Sequence, residues 1–452
     1  MDKEKLGTED IHKLLATLAI PAVIAQIVNL LYNIVDRIYI GHIPNIGASA
    51  LTGVGLFTPI LMMINAFAQF SGSGGAPKAS ILLGAKENEK AEKVVGNCFS
   101  LTLILAVILT ILFYIFAPQL LTFFGASEVT LPYALEYARI YILGTITVLI
   151  VMGMNPFITI QGFAKTSMMT TVIGAVINIV LDPIFIFGFN MGVKGAAIAT
   201  VLSQAVGALW ILKFLTSEGT ILKLKKENMK IEKDILTPCL ALGSSSFVMI
   251  STESLLSMTF TSSLSQYGGD LAVGAMTIIT SVAQLCSMPL QGICQGGQTI
   301  ISYNFGARKK ERVKKAFFSE LFVCATYAIL FWILMMVFPK AFASIFTSDA
   351  SLSDYTAGVL RIYMIGIFAT GFQISCQNSF VGLGQAKISL FLAILRKLIL
   401  LIPLILILPM FMSDQVFAVF IAEPISDILA ATITTIAFIT KFNKILEEGP
   451  RN

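Results

Sequence analysis

The chain has 452 residues, 56% of them hydrophobic and only 13% charged, with a net charge of +5. Soluble domains run about 45–50% apolar and about 25% charged, so this composition, with a mean hydropathy of +0.84, excludes a water-soluble fold and makes the bilayer the solvent. The six cysteines all lie in apolar stretches with no C-x-x-C pair, and the only histidines are His12 and His42. Buried free thiols are expected, and a histidine-bound metal is not.

The opening MDKEKLGTEDIHKLLATLAIP mixes acids with bases and has no small-residue cleavage site, so it does not read as a removable signal peptide. Taking about 20 mainly apolar residues per spanning helix, twelve spans are predicted: 14–40, 50–83, 94–117, 137–160, 169–190, 195–217, 236–265, 271–303, 316–338, 358–383, 389–410 and 415–440. With the N-terminus inside, the inner loops hold 23 of the 31 lysines and arginines, while the outer loops hold Lys194, Lys340 and little else. Both termini are therefore predicted to be cytoplasmic.

A shift of 222 residues lays Gly84-Ala85-Lys86 on Gly306-Ala307-Arg308, Glu89 on Glu311 and Lys93 on Lys315. The same shift superposes Gly74-Gly75 on Gly296-Gly297, and Gly162, Ala164-Lys165 and Ser167 on Gly384, Ala386-Lys387 and Ser389. One offset serving separate places marks an internal duplication. Six spans per half keep both halves in the same sense, as parallel repeats. The fold class is an all-α integral membrane protein, twelve transmembrane helices in two pseudo-symmetric six-helix bundles. Residues 1–217 form the first bundle, 218–235 a basic cytoplasmic linker and 236–452 the second bundle.

Ionisable groups inside a span cost about 2.5–3.5 kcal/mol each on insertion scales and so need a reason. The first span carries Gln26, Asn29, Asn33 and Asp36; spacings of 3, 4 and 3 put them on one helical stripe. The stripe either lines a cavity or bonds a neighbouring helix, and Arg37 beside it can snorkel outward. On the fifth span Asn178 and Asp182 stand one turn apart, followed by Pro183, which is expected to kink the helix and free a carbonyl near residue 179. The fourth span adds Asn155-Pro156, and the sixth Thr200, Ser203 and Gln204, which also fit helix-packing roles.

Neither first-half acid is repeated: Met258 and Leu404 stand opposite Asp36 and Asp182. The second half has Glu253 in a serine-rich seventh span, a candidate for binding cationic substrate, and Glu423 and Asp427 on the last span. Lys78 follows Gly72-Ser73-Gly74-Gly75, where small residues favour close helix packing. No phosphate loop, H-E-x-x-H or G-x-S-x-G motif occurs, so neither ATP hydrolysis nor enzyme chemistry is indicated.

These residues resemble the multidrug and toxic compound extrusion (MATE) family, most nearly its Gram-positive multidrug exporters. The resemblance covers nearly the whole chain. It rests on NLLYNIVDRIYIG around Asp36, on NIVLDPIFIFGFNMGVKGAAIATVLSQ across spans five and six, on the G-A-[KR] loops at 84 and 306, and on the G-x-A-K turns at 162 and 384. It implies a V-shaped pair of lobes in a bacterial cytoplasmic membrane, exporting small organic cations against entering protons or sodium ions, with no other cofactor. It assigns cation coupling to Asp36 and Asp182, with Asn178, Thr200 and Asn155 around them and Na+ possible at the two acids. Substrate contacts fall to Gln26, Asn29, Asn33 and Glu253. The tenth span departs from the pattern: Gln373, Gln377 and Asn378 stand where some members carry an aspartate. Protonation of Asp36 and Asp182 is expected to bend the first lobe at Pro183 and release substrate outside. A monomer with no nucleic-acid partner is expected. The alternative is a flippase for lipid or lipid-linked oligosaccharide, which should need basic side chains in its cavity; only Lys78, Arg396 and Lys397 qualify.

Overall fold

The computed structural model describes residues 5–347 and 349–450, and no strand occurs among them. The first half contains α1 (Ile11–Gly41), α2 (Gly47–Gly84), α3 (Asn88–Phe123), α4 (Leu131–Leu143 and Thr145–Thr159, bent by 56°), α5 (Ala164–Gly188) and α6 (Val193–Thr216). A 74-residue helical run, Lys233–Gly306, follows, then α9 (Lys310–Val337), α10 (Ala350–Gly382), α11 (Ala386–Phe411) and α12 (Gln415–Glu448).

The 74-residue run would be about 110 Å long if straight, but Gly269 breaks it with φ 63° and ψ −161°. The carbonyl of Cys239 abuts Gly74 while that of Tyr303 abuts Gly84. Those two contacts lie ten residues apart on α2, about 15 Å, whereas a straight helix would separate Cys239 from Tyr303 by about 96 Å. The run therefore folds back at Gly269 into α7 (233–268) and α8 (270–306), which makes twelve spans among the described residues. The fifth and sixth spans separate where the sequence places their boundary, through Asn190 and Gly192, both with positive φ. Ile104, Val107, Ile108, Ile111 and Ile115 on α3 are all exposed, an apolar face that only lipid would cover without cost.

The duplication recurs in the backbone. Lys86 and Arg308 both take the left-handed conformation, as do Gly162 and Gly384. The α4 bend falls at Gly144, and a 3-10 turn in α10 ends at its equivalent, Gly366.

The halves meet along a seam with reciprocal contacts. A Cβ on Gly84 would collide with the Tyr303 carbonyl, and one on the equivalent Gly306 with the carbonyl of Ile81. Gly74 of α2 packs on Cys239 and Gly243 of α7; its equivalent Gly296 of α8 packs on Ala19 of α1. Glycine brings the backbones this close because it has no side chain. Two ion pairs repeat the exchange: Lys93 of α3 reaches Glu232 just before α7 at 3.1 Å, and Lys315 of α9 reaches Asp10, the cap of α1, at 3.0 Å.

Each half thus holds the start of the other half's first helix. Asn304 and Arg312 fasten the Leu6 carbonyl at 3.0 and 3.3 Å. In the first half, Gln161 Oε1 accepts from Thr220 Oγ1, Ile221 N and Leu222 N, and Asn97 Oδ1 from Glu232 N, strapping the linker down. The buried cores follow the same division. At the loop-rich end that carries the seam, one core mixes Leu14, Leu18 and Ile81 with Phe305, Phe317 and Phe438. At the opposite end each half keeps its own, around Phe57 and Tyr141 in one and Phe260 and Phe420 in the other.

Candidate functional site

The first-half site forms where α1 packs on α5. Asp36 and Asp182 project from these helices with their carboxyl groups within hydrogen-bonding reach of each other. Asp182 is fully buried, and Asn178, one turn earlier, is 1% exposed. Asn178 Nδ2 donates to Asp182 Oδ1 at 3.3 Å and lies 3.4 Å from Thr200 Oγ1 of α6. The Thr200 hydroxyl donates to the Ala196 carbonyl at 2.9 Å, and Ser203 donates to the Thr200 carbonyl at 2.8 Å.

Donors run out before acceptors do. Asp36 Oδ1, Asp182 Oδ2 and Asn178 Oδ1 are buried without a hydrogen-bond partner. Two touching carboxylates repel unless a proton or a cation lies between them. An all-oxygen acceptor set of this kind suits either a proton or a hard cation.

Tyrosines wall the pair. Tyr32, one turn before Asp36, faces both carboxyl groups along with Asn33 and Gln204. Tyr137 of α4 faces Thr200 and Asp36. Its ring stacks on Tyr141 at 5.9 Å, and both meet Phe57 edge-on at 5.6 and 5.2 Å. These three tyrosines escape the sequence reading, although the i, i+4 spacing of Tyr32 to Asp36 and of Tyr137 to Tyr141 is visible there.

The polar stripe on α1 holds together. Asn33 Nδ2 donates to the Asn29 carbonyl at 2.6 Å, and Gln26 and Asn29 are half-buried below the carboxyl pair. Asn155 does not join the group. It donates to the Ser167 carbonyl and accepts from Thr170 Oγ1, each at 3.3 Å. Thr170 lies eight residues, about 12 Å, from Asn178 along α5, so Asn155 ties α4 to the far end of that helix. The irregularity expected at Pro183 follows the proline, as a π turn over Ile184–Gly188. Asp182 itself remains on regular helix.

The second half handles its charges differently. Glu253 of α7 is ion-paired with Lys397 of α11, which also donates to the Met249 carbonyl at 3.0 Å. Arg396 Nε and Nη2 both donate to Asp427 Oδ1 of α12, at 3.0 and 2.7 Å, with Glu423 3.9 Å away. Glu253, the cationic-substrate candidate of the seventh span, thus already has a cation of the chain itself beside it. Two of the three basic residues that could have met phosphate, Arg396 and Lys397, are already engaged by acids.

The whole architecture has known counterparts. The MatE family profile matches residues 21–184 and again 245–407, two segments offset by about the repeat length. The multidrug export protein MepA of Staphylococcus haemolyticus is 25% identical over 430 residues, 94% of this chain and 93% of its own length. Its namesake in Staphylococcus aureus is 22% identical over 424 residues, 94% and 93% of the two chains. An outward-facing multidrug resistance MATE transporter of the MOP superfamily superposes with a TM-score of 0.91 at 26% identity, covering 99% of each chain. A MOP superfamily transporter from Pyrococcus furiosus, described with a binding pocket of reversed polarity, gives 0.92 at 26% identity, covering 98% and 99%. With one family profile matched in both halves and full-length relatives in sequence and structure, the chain belongs to the MatE family of transporters.

Proposed function

We propose that this protein is a secondary active exporter of small organic cations, driven by protons entering through the Asp36–Asp182 pair. The observation that carries this reading is the contact between two acids whose remaining oxygens lack donors. Such a pair holds a proton readily, and a cationic substrate competes with that proton for the same negative charge. The stripe below it, with Asn33 exposed and Asn29 and Gln26 half-buried, offers substrate contacts. The seam at the basic-loop end, with both termini there, supports a cytoplasmic closure and access from the outside. Export of drugs by the MepA proteins, as their name states, agrees with this assignment. The engagement of Arg396 and Lys397 by acids speaks against a phosphate-bearing flippase substrate.

The experiment is ethidium efflux from vesicles carrying the protein, under an imposed proton or sodium gradient, with Asp36→Asn and Asp182→Asn beside wild type. Efflux that follows the proton gradient and is lost in both variants supports the proposal. Efflux that follows sodium alone reassigns the coupling ion at the same pair. Gradient-independent behaviour from folded wild type rejects the antiporter, and lipid-linked sugars become the substrates to try.

A further inference from the structure

A second acid stands apart from both clusters. Glu320 of α9 is fully buried, and neither of its carboxyl oxygens makes a hydrogen bond. The space it fills exists because Gly297 of α8 has no side chain; a Cβ there would overlap the Glu320 carboxyl. The repeat gives this arrangement a reference: Gly297 corresponds to Gly75, and Glu320 to Cys98. In the first half, Gly75 makes the same room for the Cys98 thiol. One scaffold position thus holds a small thiol in one half and a carboxyl group in the other.

The titratable groups facing Glu320 are Cys294 of α8, Cys324 one turn along α9, and Cys376 of α10. Cys294 and Cys324 have their sulfurs 3.6 Å apart, and Ser375 of α10 lies 3.9 Å from Cys294. No cationic side chain is among these neighbours in the described residues. A carboxylate buried with no counter-charge, and with only the weak thiol donor of Cys294 in reach, costs far more than the neutral acid. Sodium is a poor occupant here, because hard cations require oxygen ligands and the surroundings are largely sulfur.

The position also borders the seam between the halves. Gly296, next to the Gly297 cradle, is where α8 packs directly on Ala19 of α1, and Gly292 one turn earlier packs on Val23. Separation of α1 from α8 would uncover the cradle from the seam side. We infer that Glu320 is a second proton-binding site, in the second half of the chain, which holds its proton while the seam is closed and exchanges it with water when the seam opens. The step moves one proton between a carboxyl oxygen and water and needs no other reactant. The inference rests on the proton-coupled reading above.

The test is infrared difference spectroscopy of the purified full-length protein across a pH change, following the protonated-carboxyl band. Wild type is compared with Glu320→Gln, with Glu320→Cys (which copies the first half), and with Asp36→Asn/Asp182→Asn. The expected result is a pH-sensitive component that is lost in both Glu320 variants and kept when the two aspartates are replaced. Identical difference spectra for wild type and the Glu320 variants would overturn the inference and leave Glu320 a permanently protonated packing group. If neither Glu320 variant folds, the aspartate double variant with Glu423→Gln added decides: a surviving carboxyl component supports the site and its absence rejects it. A wild-type protein with no pH-sensitive carboxyl component at all would instead fail the coupling reading itself.

Discussion

The two halves share one scaffold and treat charge in opposite ways. In the first, Asp36 and Asp182 face each other with tyrosines and amides around them and no base in contact within the described hydrogen bonds and ion pairs. In the second, Glu253 is matched by Lys397, and Asp427 and Glu423 by Arg396. On one repeated helical scaffold, the first half carries acids that need an external cation and the second carries acids matched by bases, with only Glu423 Oε2 left without a hydrogen bond. A buried ion pair contributes little net stability but is costly to break. Two unpaired acids in contact do the reverse, destabilising the closed protein until a proton or cation joins them.

That contrast can be tested from its strongest consequence down. Arg396→Ala would strand Asp427 and Glu423 inside the second half, so we expect a loss of about 3–5 kcal/mol, read as a lower melting temperature of the purified protein. Removing the pair together, as Arg396→Met/Asp427→Leu, should cost less than the single change; an equal or larger loss would mean the network is more than charge compensation. Asp36→Asn and Asp182→Asn should move stability the other way or not at all, while gradient-driven efflux falls at least ~10-fold, equivalent to about 1.4 kcal/mol on the coupled step. A clear drop in melting temperature for either would place these acids with the structural pairs of the second half.

Substitution at the seam should have an intermediate effect. Gly84→Ala forces a Cβ against the Tyr303 carbonyl, and overpacking of this sort costs about 1–3 kcal/mol. We expect it to weaken closure at the basic-loop end, measured as faster labelling of a cysteine introduced at Ser80, which is buried against Thr299 of the other half. The smallest effect belongs to the two exchanged ion pairs. Lys93→Ala and Lys315→Ala remove exposed contacts worth ~0–1 kcal/mol, and thermal unfolding should barely change. Hydrogen bonding from Lys315, then from the backbone of Lys13, holds the Asp10 carboxyl below the ordinary aspartate range. Its contribution to the latch is thus complete at neutral pH and is lost only as pH falls through that depressed value. Loss of the latch near neutral pH would contradict the assignment.

The sequence was enough for the membrane class, the twelve spans and the duplication, because each depends on local periodicity or on a constant offset along the chain, whereas only the family resemblance joined Asp36 to Asp182. Apolar run length reports spans whatever their packing. The same reading misplaced Asn155, since a side chain next to a proline on α4 can turn toward either end of α5. It also made Glu253 a cationic-substrate candidate without its partner, because Lys397 lies 144 residues away in the chain and meets it only when α7 and α11 pack. Glu320 went unnoticed for a related reason: a lone acid three turns into a helix that starts with Lys310-Glu311 looks like part of the charged end. Only tertiary packing, with Gly297 opening a space and no base nearby, decides that this carboxyl group is buried and alone. Helix content and symmetry are written along the chain, whereas the compensation of a charge depends on which helices become neighbours.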